Sequence, residues 1–184
     1  MIGIRSRIAG GAVAVGLALG GCSPEYNWRE IRPDDGGYAV LLPAKPSASS
    51  RDVQLDDLKT PMAMQQAKVG ETVFAVAVAR LPDASDHTQR KALAAMRAGM
   101  VRNIGGRETA ARPVAVDVVD TGGRRNGQLN ATEVEVAGSL KGAATTMVVR
   151  FAARDAYAYQ WLVLGQAIDR DQAAVFLESF KALR

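Results

Sequence analysis

Residues 72 to 80 read TVFAVAVAR, and the fold turns on how that stretch is interpreted. In a two-residue repeat Phe74, Val76 and Val78 share one side while Ala75, Ala77 and Ala79 share the other. Apolar side chains on both sides mark a central strand covered on both faces, and the alanine side lets a helix approach closely. Upstream, Gly70-Glu71 turns the chain back onto an extended segment from Pro61 to Val69, and Ser50 to Leu55 can also be extended. Further out, Tyr38 to Leu42 places Tyr38, Val40 and Leu42 on one face and is stopped by Pro43 and Pro46.

Downstream, the period changes to that of a helix. Asp83 or Ser85 can cap it, and Leu93, Met96, Met100, Val101 and Ile104 recur until Gly105-Gly106 ends it. Its other side carries Arg90, Lys91, Arg97 and Arg102, a solvated face or a stripe for an anionic partner. Four strands follow, at Pro113 to Asp120, Gln128 to Ala137, Ala144 to Ala153 and Tyr157 to Leu164, and their short turns imply an antiparallel meander. A last helix starts at Asp169, with Gln172 as capping partner and Phe176, Phe180 and Leu183 on one side. This order predicts an α+β domain, an antiparallel sheet with a long middle helix and a C-terminal helix packed on it.

The chain has 184 residues, 48% of them apolar, which suits one domain with a real core. One Cys and one His exclude a disulfide scaffold and the common zinc sites.

The first 23 residues, MIGIRSRIAGGAVAVGLALGGCS, have Arg5 and Arg7 at a positive start and an uncharged run from Ile8 to Gly21. A run of 14 residues is too short for a membrane-spanning helix of about 20, and the pattern is that of a secretory signal peptide. Its end, Leu19-Gly20-Gly21-Cys22, resembles the lipobox of bacterial lipoproteins. The resemblance implies that residues 1–21 are removed and Cys22 is lipidated. Ser23 in place of Asp then favours the outer membrane, facing the periplasm. Removal of 1–21 takes two Arg and no acid, so the 163 remaining residues carry 21 basic and 19 acidic side chains, a net of +2. That balance offers no basic footprint for nucleic acid.

Residues 22–36 are polar, with Pro24 and Pro33, and are expected to form the lipidated Cys and a tether; Trp28 and Ile31 are the positions able to dock. Residues 37–184 are expected to form the single domain. The stretch GYAVLLPAKP and the element order resemble the PsbP-like α/β/α sandwich domains, including envelope lipoproteins of the DcrB type. That resemblance implies a binding or assembly-support module without catalytic residues.

Chemistry is sparse. His87, the sole histidine, sits in a polar helix start, and no G-x-S-x-G elbow is present, which argues against a triad hydrolase. Met62 and Met64 share a strand face, and Met96 and Met100 a helix face; a thioether copper site needs such pairs, but Met on apolar faces is ordinary core filler. Asp34-Asp35 and Asp56-Asp57 lack calcium-loop spacing. Glu133 and Glu135, alternating with Val134 and Val136, are expected on the outer face of their strand. The GGRRNG loop, Gly122 to Gly127, sets Arg124 and Arg125 among glycine N–H groups, either an anion nest or an exposed hairpin loop. Tyr157, Tyr159 and Trp161 form an aromatic stripe expected to lie under a helix. No catalytic, cofactor or metal-binding residue is assigned; Cys22 is the lipidation site, and Arg124, Arg125, Arg90 and Arg97 are the candidate interaction surface. The expected function is a membrane-anchored, non-enzymatic binding or assembly-support module of the cell envelope whose partner is an unidentified envelope protein or ligand. The alternatives are an envelope hydrolase with paired carboxylates and a carrier of an apolar ligand, the latter requiring an apolar cavity between sheet and helix.

Overall fold

The computed structural model describes residues 25–184; the expected signal peptide, the lipobox-like stretch and Cys22 lie outside the described residues. Ten strands run β1 (Arg29–Ile31), β2 (Tyr38–Leu42), β3 (Ser47–Leu55), β4 (Leu58–Val69), β5 (Thr72–Arg80), β6 (Arg107–Val119), β7 (Arg125–Leu140), β8 (Ala143–Arg154), β9 (Tyr157–Gly165) and β10 (Lys181–Leu183). Helix α1 (Asp86–Asn103) separates β5 from β6, and α2 (Arg170–Ser179) separates β9 from β10.

All the strands join one sheet in the order β1-β2-β10-β6-β7-β8-β9-β5-β4-β3. Neighbours are antiparallel except β10 and β6, where Ala182 pairs with Val118 in parallel. The TVFAVAVAR stretch is β5, internal to the sheet between β4 and β9.

The expected fold class is corrected by this architecture. Strand makes up 57% of the described residues in a curled half-barrel sheet, against helices of 18 and 10 residues, so the fold is mostly β and not a PsbP-like α/β/α sandwich. Ten strands at about 4.8 Å spacing span roughly 45 Å. A helix is only about 10 Å wide, so one on each face covers a patch and forms no layer. The imbalance was hidden in polar strand ends. Ser47 to Ser50 and Arg107 to Ala111 are exposed and lack apolar alternation, yet they are held in long ladders with β4 and β7. Pro113 is tolerated in β6 because β10 pairs only with Val118 and Val119, leaving that edge free at Pro113.

α1 is capped by Ser85, whose hydroxyl accepts from Thr88 N, and Gly105 takes the left-handed turn after it at φ 51°. Where the chain leaves α1 it presses on β7, and a Cβ on Gly138 would run into the Ile104 carbonyl oxygen. The two sheet faces have separate cores. One, beneath α2, is aromatic: Trp161 stacks on Phe180 with ring centroids 4.1 Å apart, and Tyr38, Tyr159, Phe74 and Phe176 surround them. The other, beneath α1, is aliphatic and rich in Met and Ala.

The first described residues are not a free tether. β1 pairs with β2, Asn27 N donates to the Pro43 carbonyl at 2.7 Å, and Tyr26 and Trp28 stack together with their edges against Phe74.

Candidate functional site

α1 packs on β8 and β9 and meets β3 at the curled edge, so β4 and β5 face a space between them. The short alanine side chains of β5 do not fill it. A cleft of about 390 Å³ results. Met62 and Met64 of β4, Ala75 of β5, Met147 of β8, and Leu162 and Leu164 of β9 line the sheet side. Met100, Asn103 and Ile104, from the end of α1, form the opposite wall, and Ser49 and Arg51 of β3 the rim. The volume lies in the range of small-molecule sites. Methionine walls are unbranched and polarizable, so they adjust to an irregular apolar body.

One polar group in this lining is out of place. Gln160 is 6% exposed, and its Oε1 is the one buried side-chain polar atom without a hydrogen-bond partner among the described residues. It shares the α1 face of β9 with Ala158, Leu162 and Leu164. A buried acceptor left unpaired costs about 1–3 kcal/mol. A bound molecule that brings one N–H or O–H donor to an otherwise apolar site removes that cost. Sequence reasoning missed Gln160 because the aromatic stripe on the other side of β9 drew the attention; the available signal was one amide in an apolar register, Ala158-x-Gln160-x-Leu162-x-Leu164.

The methionine pairs are partly brought together here: Met62, Met64 and Met100 line the cleft, and Met96 is buried in the same core. Tyr159 and Trp161 lie buried on the opposite face near α2, and burial pushes the Tyr159 and Tyr38 phenols well above their ordinary values.

The four candidate surface arginines do not form one patch. Arg90 and Arg97 are on α1, paired with Asp86 at 4.0 Å and with Glu108, whose carboxyl Arg97 holds below its usual range. Arg124 is in the β6–β7 loop and Arg125 opens β7, paired with Asp120 and Asp117. No anion nest stands open there: Asp120 Oδ1 accepts from Gly122 N and Arg124 N at 2.9 Å each, so the loop's N–H groups are spent on its own carboxylate. Those bonds lower the Asp120 pKa.

Glu133 and Glu135 are not on an open outer face. They point toward α2; Glu133 is 7% exposed and bonded by Arg150 and Arg112, and Glu135 is bonded by Arg170. These carboxylates serve as ion-pair partners and not as a facing acid pair. His87 is exposed in the first turn of α1, beside Asp57 and Lys91. Among the described residues no group of three His, Cys, Asp or Glu side chains is placed to hold a metal.

No protein-family model matches the chain, and no curated protein matches it. Among solved structures it is similar to a Pseudomonas aeruginosa protein of unknown function, PA94, at 10% identity over 79% of this chain and 87% of that one. The TM-score of 0.38 is too low for the likeness to carry an argument.

Proposed function

We propose that this chain is a lipid-anchored envelope protein, held at the periplasmic face of the outer membrane through Cys22, that binds an apolar ligand without transforming it. The observation that carries the binding site is Gln160: a buried, unpaired amide oxygen in the wall of an apolar cleft. The cleft admits a molecule with an apolar body and a single hydrogen-bond donor. The anchor is supported by the order of positive start, short apolar run and LGGC in residues 1–22. No helix among the described residues is long and apolar enough to cross a membrane.

The ligand site is tested by titrating the processed chain with N-phenyl-1-naphthylamine, an apolar fluorophore with one N–H. Saturable binding is expected, weakened about tenfold by Gln160→Leu, the equivalent of one hydrogen bond of about 1.4 kcal/mol. Ala75→Leu, which fills the cleft from its floor, is expected to abolish it. Undiminished binding by the Ala75→Leu variant would place the fluorophore elsewhere and overturn the site. The anchor is tested by Cys22→Ser, which should release the protein from membranes; unchanged fractionation and mass would overturn it.

A further inference from the structure

We infer that one end of the sheet lies against the phospholipid surface, with one end of the Met-lined cleft close to that surface. The inference rests on the acyl anchor at Cys22 proposed above, and it fixes an orientation that the anchor alone does not. From Cys22 to Tyr26 there are four residue steps, at most about 14 Å of chain. Tyr26 is no longer free, because its ring packs on Phe74 and Trp28 while the next residue, Asn27, is bonded to Pro43. A tether this short does not let the domain turn over; the end of the sheet nearest Tyr26 stays at the membrane.

The ladder registers identify that end. Phe74 lies just after the turn at Gly70-Glu71, where Val69 pairs with Thr72. Val73 pairs with Leu164, so β9 finishes at the same end, and Gly165 pairs with Thr146 of β8. The β7–β8 hairpin continues beyond that pair to Leu140 opposite Ala143. Three residues at about 3.4 Å each carry its tip roughly 10 Å past the end of β9. The protruding tip is Leu140-Lys141-Gly142, and Leu140 is one of two large apolar side chains more than 40% exposed among the described residues. An exposed leucine beside a lysine on a projecting hairpin suits the bilayer interface, where the apolar side chain enters and the cation stays among headgroups.

The cleft reaches this end too. Val73 and Leu164 line both the cleft and the groove under the hairpin tip, next to Lys68 and Lys141.

The test anchors residues 22–184 through the Cys22 thiol to a maleimide-bearing phospholipid in phosphatidylcholine vesicles, which imposes the anchor whether or not the cell acylates it. Amide hydrogen exchange is compared with the same chain free in solution. Exchange slowed about threefold or more is expected in 69–72 and 140–143, with 120–125 and 155–156 at the other end unchanged. Leu140→Ser, at an exposed position, should reduce the protection of 140–143 while sparing 69–72. Uniform exchange, or protection at 155–156, would overturn the orientation. An intact mass of the native protein lacking acyl chains would overturn the anchor on which it rests.

Discussion

Arg150 and Glu133, both more than nine-tenths buried, meet at 2.7 Å beneath α2, and the same guanidinium donates through Nη1 to the Leu177 carbonyl at 2.8 Å. Trp161 Nε1 donates to that carbonyl as well, at 3.0 Å. Leu177 is in the last turn of α2, where carbonyls have no partner within the helix. The buried pair therefore fastens the end of α2 to the middle of the sheet. Arg150→Met is expected to cost about 3 kcal/mol, since Glu133 would stay buried with only exposed Arg112 beside it. The double variant Glu133→Leu with Arg150→Met should recover most of that loss, as measured by urea unfolding.

Gln160→Leu should weaken binding of the fluorophore and yet stabilise the unliganded protein. Removing the orphan acceptor returns about 1–2 kcal/mol, or roughly 4 °C in thermal midpoint for a domain of this size. A variant that is both less stable and binding-deficient would assign Gln160 to structure alone.

Lys91 ties the β3–β4 turn to α1, with Nζ 2.6 Å from Asp57 and 3.3 Å from Asp56. The hydrogen bond from Lys91 lowers the Asp57 pKa, and that to Asp57 raises the Lys91 pKa. For Asp57, the folded value lies below the unfolded one, so its stabilisation is complete above the ordinary value of 3.8 and is lost as pH falls through the lowered folded value. For Lys91, stabilisation is complete below the ordinary 10.5 and is lost as pH rises through the raised folded value. Protection of the amides of residues 55–58, their exchange relative to the intrinsic rate at each pH, should therefore fall at both extremes. In Lys91→Ala that protection should be low throughout, with no dependence of this origin.

Trp28→Ala should undock the N-terminal segment. Its stack on Tyr26 and its edge contact with Phe74 contribute about 1–2 kcal/mol together. Trypsin cleavage after Arg29 is expected to accelerate while the remainder of the domain resists.

Gly138→Ala should destabilise by about 2 kcal/mol, because the added methyl meets the Ile104 carbonyl and the Gly106 backbone, neither of which can move without shifting the end of α1. Thermal unfolding followed by circular dichroism measures it.

The apolar segments of this fold were legible from the chain. TVFAVAVAR is a central strand, α1 begins at Ser85, one of its two expected caps, α2 at Asp169, and Tyr159 and Trp161 of the β9 stripe are buried while Tyr157 is half-buried. What periodicity cannot register is structure sustained by backbone pairing alone. The polar run Arg107 to Ala111 and the serines of β3 are strand only because a partner lies beside them, and their omission left the sheet undersized and the helices overweighted. Charge misled in the same way. Glu133 in alternation with valine has the pattern of an exposed face until Arg150, 17 residues on, is folded beneath it. The cleft was foreseen only as a requirement of one alternative, since a void depends on where a helix does not reach.

Lys181 to Leu183 stand between β2 and β6, so among the described residues the strand ladder that joins the β1–β2 pair to the rest of the sheet is made by residues more than 140 positions later. A chain synthesised from its N-terminus thus holds β1 and β2 without that ladder until residue 183 has been made. Completion of the sheet is therefore a checkpoint on chain length: a product cut short before Lys181 retains strands β3 to β9 but leaves the edges of β2 and β6 unzipped.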